Sequence, residues 1–167
     1  MNDMKSIVLP VILMLFSFLT EGQIASDKNE IEATIARLFE GMKKGDSALL
    51  HTAFANQVTM ATISRKKDGT PSIKQETGIA DFLKAVGTPH PEAFNEPIWN
   101  LVIQIDGDFA QAWANYAFYL GNKFNHCGVD AFQLFKGVDR KWKIFHLTDT
   151  RKKEGCDVPK KVASMFK

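Results

Sequence analysis

The chain has 167 residues, of which 45% are hydrophobic and 24% charged, and its formal net charge is +2. These values are typical of one globular domain that is large enough to bury a core. A charge so close to neutral argues against nucleic-acid binding, which usually needs a strongly basic face. Short basic runs at 65–67, 151–153 and 160–161 are interpreted as solvated turns or tails.

Residues 1–22 predict a signal peptide. Lys5 precedes an apolar run over 7–19, which is short for a bilayer span but suits the core of a signal sequence. Thr20 and Gly22 fit the small-x-small cleavage pattern, so 23–167 would form the mature single domain. Cleavage after Ala25 is one alternative, and an uncleaved anchor or buried amino-terminal helix is another. We expect a secreted or periplasmic protein with no membrane attachment after cleavage.

Helical signals dominate the first part of the predicted domain. Asp27 and Glu30 form a capping box that would start a helix of about four turns. Its apolar stripe has helical spacing: Ile31, Ile35, Leu38, Phe39 and Met42. Gly45 would end this helix and Asp46 would cap a short second one. A third short helix is predicted over 78–87.

Strand signals dominate the remainder. Alternation of apolar and polar residues begins near Val58, and turn signals follow at 68–69, 106–107 and 121–122. Strands are predicted over 58–63, 72–77, 98–105, 109–120, 124–135 and 141–150. The segment 88–97 contains three prolines and should be irregular. Helices followed by long strands predict an α+β fold: a curved, cone-shaped antiparallel sheet packed on the amino-terminal helices.

This order of elements resembles the nuclear transport factor 2-like superfamily over about 27–156. The segment "FYLGNKFNHCGVDAFQLFKGVDRKWKIFHLTDTRKKEGC" is similar to an exported bacterial branch labelled SnoaL-like or lumazine-binding. The resemblance implies a pocket at the mouth of the cone and a homodimer through the outer face of the sheet. It does not imply one activity, because the superfamily includes dehydratases, isomerases, cyclases and ligand-binding domains.

Ionisable residues on the last two strands suggest a site. Side chains alternate along a strand, so His126 and Asp130 share one face, as do Asp149 and Arg151 on the next strand. A two-residue loop at 138–139 would place all four on the same face, with Gly128 opposite Asp149. Arg151 would hold one carboxylate ionised, and crowding would raise the pKa of the other.

Such a cluster is suited to general acid–base catalysis, with His126, Asp130 and Asp149 as the catalytic residues and Arg151 binding the ligand. The alternative is a buried ion network that only fixes the strand register. Trp113, Asn115 and Tyr119 share a face of their strand and are predicted to line the pocket, although core packing also explains them.

Two cysteines, Cys127 and Cys156, are the remaining candidates. In an oxidising compartment they would form a disulfide, and the alternative is two buried free thiols. No zinc site, phosphate-binding loop or nucleophile elbow is recognised, so no metal or cofactor is expected.

The leading hypothesis is a protein that binds a small, partly apolar ligand in its cone. One alternative is an isomerase, dehydratase or cyclase with an acid–base pair. Another is a dimerising interaction module with a vestigial pocket. A polar group open to a cavity would favour the enzyme, an apolar cavity would favour the binding protein, and a collapsed cavity would favour the module.

Overall fold

A computed structural model describes the backbone of residues 5–167 and the side chains from residue 22 onward. The predicted signal peptide, 1–22, lies almost wholly outside the described side chains and stays a prediction. Among the described residues, no helix has both the length and the apolar character needed to span a membrane.

Four helices and a short 3-10 turn surround the sheet. They are α1 (Lys5–Lys44), α2 (Ser47–His51), α3 (Ala80–Gly87), α4 (Lys160–Ala163) and the 3-10 turn Ser164–Phe166. Asp46 caps α2 as predicted, because its Oδ1 accepts a hydrogen bond of 2.8 Å from the backbone N–H of Leu49. The predicted start of a helix at Asp27 is wrong, since α1 passes through this residue without interruption.

Seven strands form one curved sheet. They are β1 (Phe54–Arg65), β2 (Pro71–Thr77), β3 (Phe94–Asn95), β4 (Ile98–Asp106), β5 (Phe109–Leu120), β6 (Lys123–Lys136) and β7 (Trp142–Arg151). The order is β2-β1-β7-β6-β5-β3, and β4 also pairs with β5. The predicted α+β fold is confirmed, with one difference. All pairs are antiparallel except β1 with β7, which run parallel and make the sheet mixed.

The core lies between α1 and the concave face of the sheet. The helical stripe predicted for α1 is confirmed, since Ile31, Ile35 and Leu38 are fully buried. They pack with inward side chains of the last two strands, including Phe132, Leu134, Trp142, Ile144 and Leu147. Burying an apolar side chain of this size stabilises the fold by about 1.5–3 kcal/mol. This packing holds the inner wall of the cone in place.

A buried ion pair joins α1 to the end of β6. The ammonium of Lys136 contacts Oδ1 of Asp27, and both side chains are almost completely buried. Trp142 Nε1 donates a second hydrogen bond of 3.1 Å to the same oxygen. Burial raises the pKa of the Asp27 carboxyl, but the hydrogen bonds from Lys136 and Trp142 outweigh it, so the net pKa is lowered.

A disulfide joins Cys127 on β6 to Cys156 beyond β7, with their Cα atoms 6.0 Å apart. A cross-link that closes a segment of this length stabilises a fold by roughly 3–4 kcal/mol. It anchors the carboxy-terminal segment against the sheet. There the ring of Phe166 stacks on Tyr119 at 4.1 Å between ring centroids.

The β6–β7 hairpin differs in detail from the predicted two-residue loop. Its last paired residues are Lys136 and Trp142, and five residues, 137–141, connect them. With an odd number of connecting residues and no bulge, Asp149 and Asp130 would lie on opposite faces of the sheet. A β-bulge restores the parity, because Phe145 is skipped in the pairing between Leu134 and Gln133. As a result, Asp130 lies directly opposite Asp149 rather than opposite Leu147.

Candidate functional site

A cavity of about 170 Å³ lies inside the cone, between α1, α3 and the sheet. Apolar side chains form most of its wall: Leu38, Phe39, Met42, Met60, Phe82, Phe94, Phe118 and Leu147. Six polar or ionisable side chains complete it: Glu96, Tyr116, His126, Asp130, Asp149 and Arg151. The hollow is therefore amphipathic, with ionisable groups gathered on the strands β5 to β7 and on the segment before β4.

Asp149 is held by side chains from three strands, β1, β5 and its own strand β7. Its Oδ1 accepts a hydrogen bond of 2.6 Å from Thr62 on β1, the parallel neighbour of β7. Its Oδ2 accepts from Arg151 Nε at 2.5 Å and from the hydroxyl of Tyr116 at 3.3 Å. Side-chain donors from three directions fix the carboxylate in one orientation, which is what a preorganised site requires.

Asp130 has a very different environment. The residue is 2% exposed, and its Oδ2 receives no hydrogen bond from an N–H or hydroxyl donor in the part of the chain that is described. The carboxyl instead lies beside the carboxyl of Glu96, close enough for the two to share a hydrogen bond. Two carboxyl groups form such a bond only when one of them carries a proton.

The Glu96–Asp130 pair therefore holds protons at neutral pH. Burial, together with the negative charge of Asp149, raises the pKa of Glu96 to about 8. Burial and the charges of Glu96 and Asp149 raise the pKa of Asp130 well above its ordinary value. The two carboxyls titrate as a pair: the first proton is lost near the raised pKa of Glu96, and the second is held more firmly. Around pH 8 the pair consists of one carboxylate and one carboxylic acid in contact.

Tyr116 and His126 complete the polar side of the cavity. Burial and the charge of Asp149 raise the pKa of the Tyr116 hydroxyl, which donates a hydrogen bond of 2.9 Å to the carbonyl of Thr150. Burial and the positive charge of Arg151 lower the pKa of His126 to about 4. At neutral pH His126 is therefore uncharged.

The structure brings four of the predicted site residues together. His126, Asp130, Asp149 and Arg151 all line the cavity, on one face of β6 and β7. Gly128 lies between His126 and Asp130 because the backbone of Thr150 passes there. A Cβ at this position would be 1.7 Å from the Thr150 carbonyl oxygen. Whether these residues act in catalysis stays a prediction.

The other three predicted pocket residues lie elsewhere. Trp113 is 49% exposed, and its register partners are Val102 and Ala131, on the outer face of the sheet. Asn115 shares that face. Tyr119 is buried against the carboxy-terminal segment. The alternation was assigned to the wrong side of β5, so Tyr116 and Phe118 line the cavity instead.

Glu96 is the site residue that the sequence analysis missed. It lies in the irregular segment between β3 and β4, where strand alternation gives no orientation. The segment is positioned because β3 pairs with the end of β5 and the carbonyl of Pro97 accepts a hydrogen bond of 3.2 Å from Ala117 N. The available signal was a single carboxylate between Asn95 and Pro97, immediately before an apolar strand.

The cavity offers carboxyl, phenol, imidazole and guanidinium groups, which suit proton transfer and hydrogen bonding. Within residues 22–167, no group of three or more His, Cys, Asp or Glu side chains is arranged to hold a metal ion.

Comparison with known proteins identifies the fold. No family model matches the chain, and no curated protein matches it. Solved structures do match. A nuclear transport factor 2-like protein with a cystatin-like fold from Novosphingobium aromaticivorans is 13% identical, with a TM-score of 0.61, over 100% of this chain and 99% of that one.

Two further solved structures have names that point to an activity of their own. A candidate ketosteroid isomerase from Shewanella frigidimarina is 15% identical, with a TM-score of 0.55, over 72% of this chain and 94% of that one. A candidate dehydratase of the nuclear transport factor 2-like family from Streptomyces avermitilis is 14% identical, with a TM-score of 0.59, over 77% of this chain and 97% of that one. The chain therefore has the nuclear transport factor 2-like fold, as predicted.

Proposed function

We propose that the protein binds a small, mainly apolar molecule in the cavity and transfers a proton on it. The observation that carries this proposal is the Glu96–Asp130 pair, two carboxyl groups with raised pKa values that open into an apolar hollow. Unpaired carboxyls are costly to bury, and perturbed groups in a cavity are typical of acid–base sites. The isomerase and dehydratase named among the structural neighbours are consistent with such chemistry.

The chemistry follows from the order in which the pair loses protons. Above about pH 8 the Glu96 carboxylate is the base that removes a proton from a carbon beside a carbonyl. The negative charge then moves to the carbonyl oxygen. Asp130, which keeps its proton, donates a hydrogen bond to that oxygen, as a buried carboxylic acid can. Glu96 returns the proton at a second carbon or releases it after loss of a leaving group.

Arg151 and Asp149 have a positioning part in this scheme. The guanidinium of Arg151 binds Asp149 at the mouth of the cavity and compensates its negative charge near the reacting groups. Binding without catalysis is the second candidate function, because most of the cavity wall is apolar. A vestigial pocket is disfavoured, since the hollow is not collapsed.

The test is deuterium exchange on small ketones. Cyclohexanone and acetophenone, which suit a hollow of this size, are incubated with the protein in D₂O, and uptake at the carbon beside the carbonyl is followed by NMR. We expect faster exchange than in buffer, with a rate that rises with pH around a midpoint near 8, the pKa of Glu96. Glu96→Gln and Asp130→Asn should each lower the rate by about 10²-fold or more.

Asn115→Ala is the matched control, because Asn115 is on the same strand as Tyr116 but faces outward. It should leave the exchange rate unchanged. Probe binding with no exchange in the unmodified protein would favour the pure binding function. Equal rates in the unmodified protein and in Glu96→Gln would remove Glu96 from the mechanism.

We propose in addition that the outer sheet face forms a homodimer. Val102 and Trp113 are register partners on this face and are 58% and 49% exposed, and Phe135 is exposed further along it. Exposed apolar patches of this kind mark interfaces. Trp113→Arg is expected to convert a dimer to a monomer, measured by light scattering after gel filtration. Asn56→Arg, a surface change on β1, should leave the mass unchanged.

We propose that the chain is exported and belongs to the SnoaL-like or lumazine-binding exported branch. The apolar run over 7–19 and the disulfide between Cys127 and Cys156 support export, because disulfides persist in oxidising compartments. Mass spectrometry of the protein from a bacterial periplasm should show a chain beginning at Gln23, with the mass of two hydrogens missing. Full-length, reduced protein confined to the cytoplasm would contradict export.

A further inference from the structure

A second, larger hollow opens beside the cavity. This basic groove, of about 1040 Å³, lies at the edge where β1 and β7 end. Six Lys or Arg side chains line it: Arg65, Lys66, Lys67, Arg151, Lys152 and Lys153. Glu154 is the acidic side chain among the residues that line it. The two basic runs, 65–67 and 151–153, were interpreted separately from the sequence as solvated turns or tails.

The parallel pairing of β1 with β7 brings the two runs together. Parallel strands end at the same edge of a sheet, and Ser64 is the register partner of Arg151. The residues that follow each strand are therefore neighbours, although they are far apart in the sequence. Like charges placed side by side repel, so such a concentration of cations is unfavourable unless an anion binds between them.

Several of these cations are not engaged within the protein. Arg65 donates to the carbonyl of Gly69, Lys152 donates to that of Gly155, and Arg151 binds Asp149. Lys66, Lys67 and Lys153, by contrast, make no side-chain hydrogen bond or ion pair with any residue that the structure describes.

The basic groove adjoins the cavity. His126 and Arg151 line both hollows, so they form the wall between the apolar pocket and the basic groove. A molecule whose apolar part fills the cavity would pass these two residues and present its other end to the lysines. The neutral His126 adds no charge at this junction. Its Nδ1 is hydrogen-bonded to Oδ1 of Asn125 at 2.8 Å, which leaves Nε2 to hydrogen-bond a ligand there.

We infer that the ligand of the cavity carries an anionic group, such as a phosphate, sulfate or carboxylate, which the basic groove binds. The inference rests on the proposed function for its apolar half, and it names the substrate class of that site: a small amphiphilic anion. Charge-assisted hydrogen bonds from Lys66, Lys67 and Lys153 hold the anion, while the carboxyl pair acts on the part inside the cone.

Three probes test the inference by isothermal titration calorimetry at pH 7.5 in low salt. They are 3-phenylpropyl phosphate, 3-phenylpropan-1-ol and inorganic phosphate. The phosphate ester should bind at least tenfold more tightly than either the alcohol or inorganic phosphate. Raising NaCl from about 20 mM to about 500 mM should remove most of this advantage, because screening weakens exposed charge pairs.

The decisive variant is the triple substitution Lys66→Ala, Lys67→Ala and Lys153→Ala. All three side chains are exposed, so the fold should be kept. Affinity for the phosphate ester should fall at least tenfold, to that of the alcohol, and affinity for the alcohol should not change.

The matched control removes three exposed lysines that do not line the groove, Lys28→Ala, Lys43→Ala and Lys160→Ala, with the same change in net charge. It should bind the ester as the unmodified protein does.

The alcohol separates the two possible failures. If the alcohol binds but the ester binds no more tightly, the inference is overturned and the proposed function stands. If neither compound binds, the proposed function fails, and the inference falls with it. Binding to vesicles of anionic phospholipid that is lost in the triple variant, with no preference for the ester, would also overturn the inference and assign the groove to a membrane surface.

Discussion

Replacing Glu96 by glutamine is expected to stabilise the protein at pH 9 by about 3–5 kcal/mol while leaving its stability at pH 4.5 nearly unchanged. In the folded protein the pKa of Glu96 rises from 4.5 to about 8 because the side chain is buried beside Asp149. Below pH 4.5 both the folded and unfolded chains hold the proton, so the ionisation costs nothing.

Between pH 4.5 and 8 the unfolded chain loses this proton and the folded chain keeps it. The free energy of unfolding therefore falls as the pH rises through this window, and the loss is complete above the folded pKa. Glutamine has no proton to lose and can still hydrogen-bond to Asp130. Urea unfolding at pH 4.5 and pH 9 measures the effect.

Glu92→Gln, an exposed change in the same irregular segment, serves as the control and should show no such pH-dependent gain. An identical pH dependence for the unmodified protein and Glu96→Gln would show that the pKa of Glu96 is not raised.

Removing Asp27 is expected to change the stability by a similar amount but in the opposite direction. Asp27→Ala leaves the ammonium of Lys136 buried with no counter-charge and leaves Trp142 Nε1 without its acceptor. Breaking a buried pair in this way typically lowers the free energy of unfolding by about 3–5 kcal/mol. Thermal or urea unfolding at pH 7 measures the loss.

Two comparisons make this result specific. Glu40→Ala, which breaks the exposed pair with Lys44, should cost no more than about 1 kcal/mol. The double variant Asp27→Leu, Lys136→Met removes both charges and should recover most of the stability.

The pKa of Asp27 is lowered in the folded protein, so its contribution is present above about pH 4 and is lost as the pH falls through the folded pKa. A loss for Asp27→Ala as small as that for Glu40→Ala would contradict the buried pair.

Strand alternation predicted much of the site, because it depends on local geometry. His126 and Asp130 are an even number of residues apart on one strand, as are Asp149 and Arg151 on the next. Their common face followed from a loop of assumed length. The real connection has the other parity, and the bulge at Phe145 reverses its effect. The prediction of the shared face was therefore right, although the assumed loop and register were wrong.

The features that were missed depend on contacts between distant segments. The alternation of apolar and polar residues along β5 does not show which of its two sides faces α1. The sequence therefore wrongly predicted that Trp113 and Asn115 face inward. Glu96 lies outside any regular strand. No pattern in the nearby sequence predicts the parallel pairing of β1 with β7. Without that pairing, nothing connects the basic runs at 65–67 and 151–153.

The bulge at Phe145 has a consequence for how this hairpin tolerates insertions and deletions. Phe145 is the extra residue of the bulge and is skipped in the pairing, so the pairs on both sides of it are regular. Deleting Phe145 would remove the bulge and leave His146 opposite Gln133, so Asp149 and Arg151 would still face the cone. A one-residue insertion between His146 and Asp149 would instead turn both side chains to the exterior unless a second bulge absorbed it, so this hairpin tolerates a length change at the bulge better than within its paired segments.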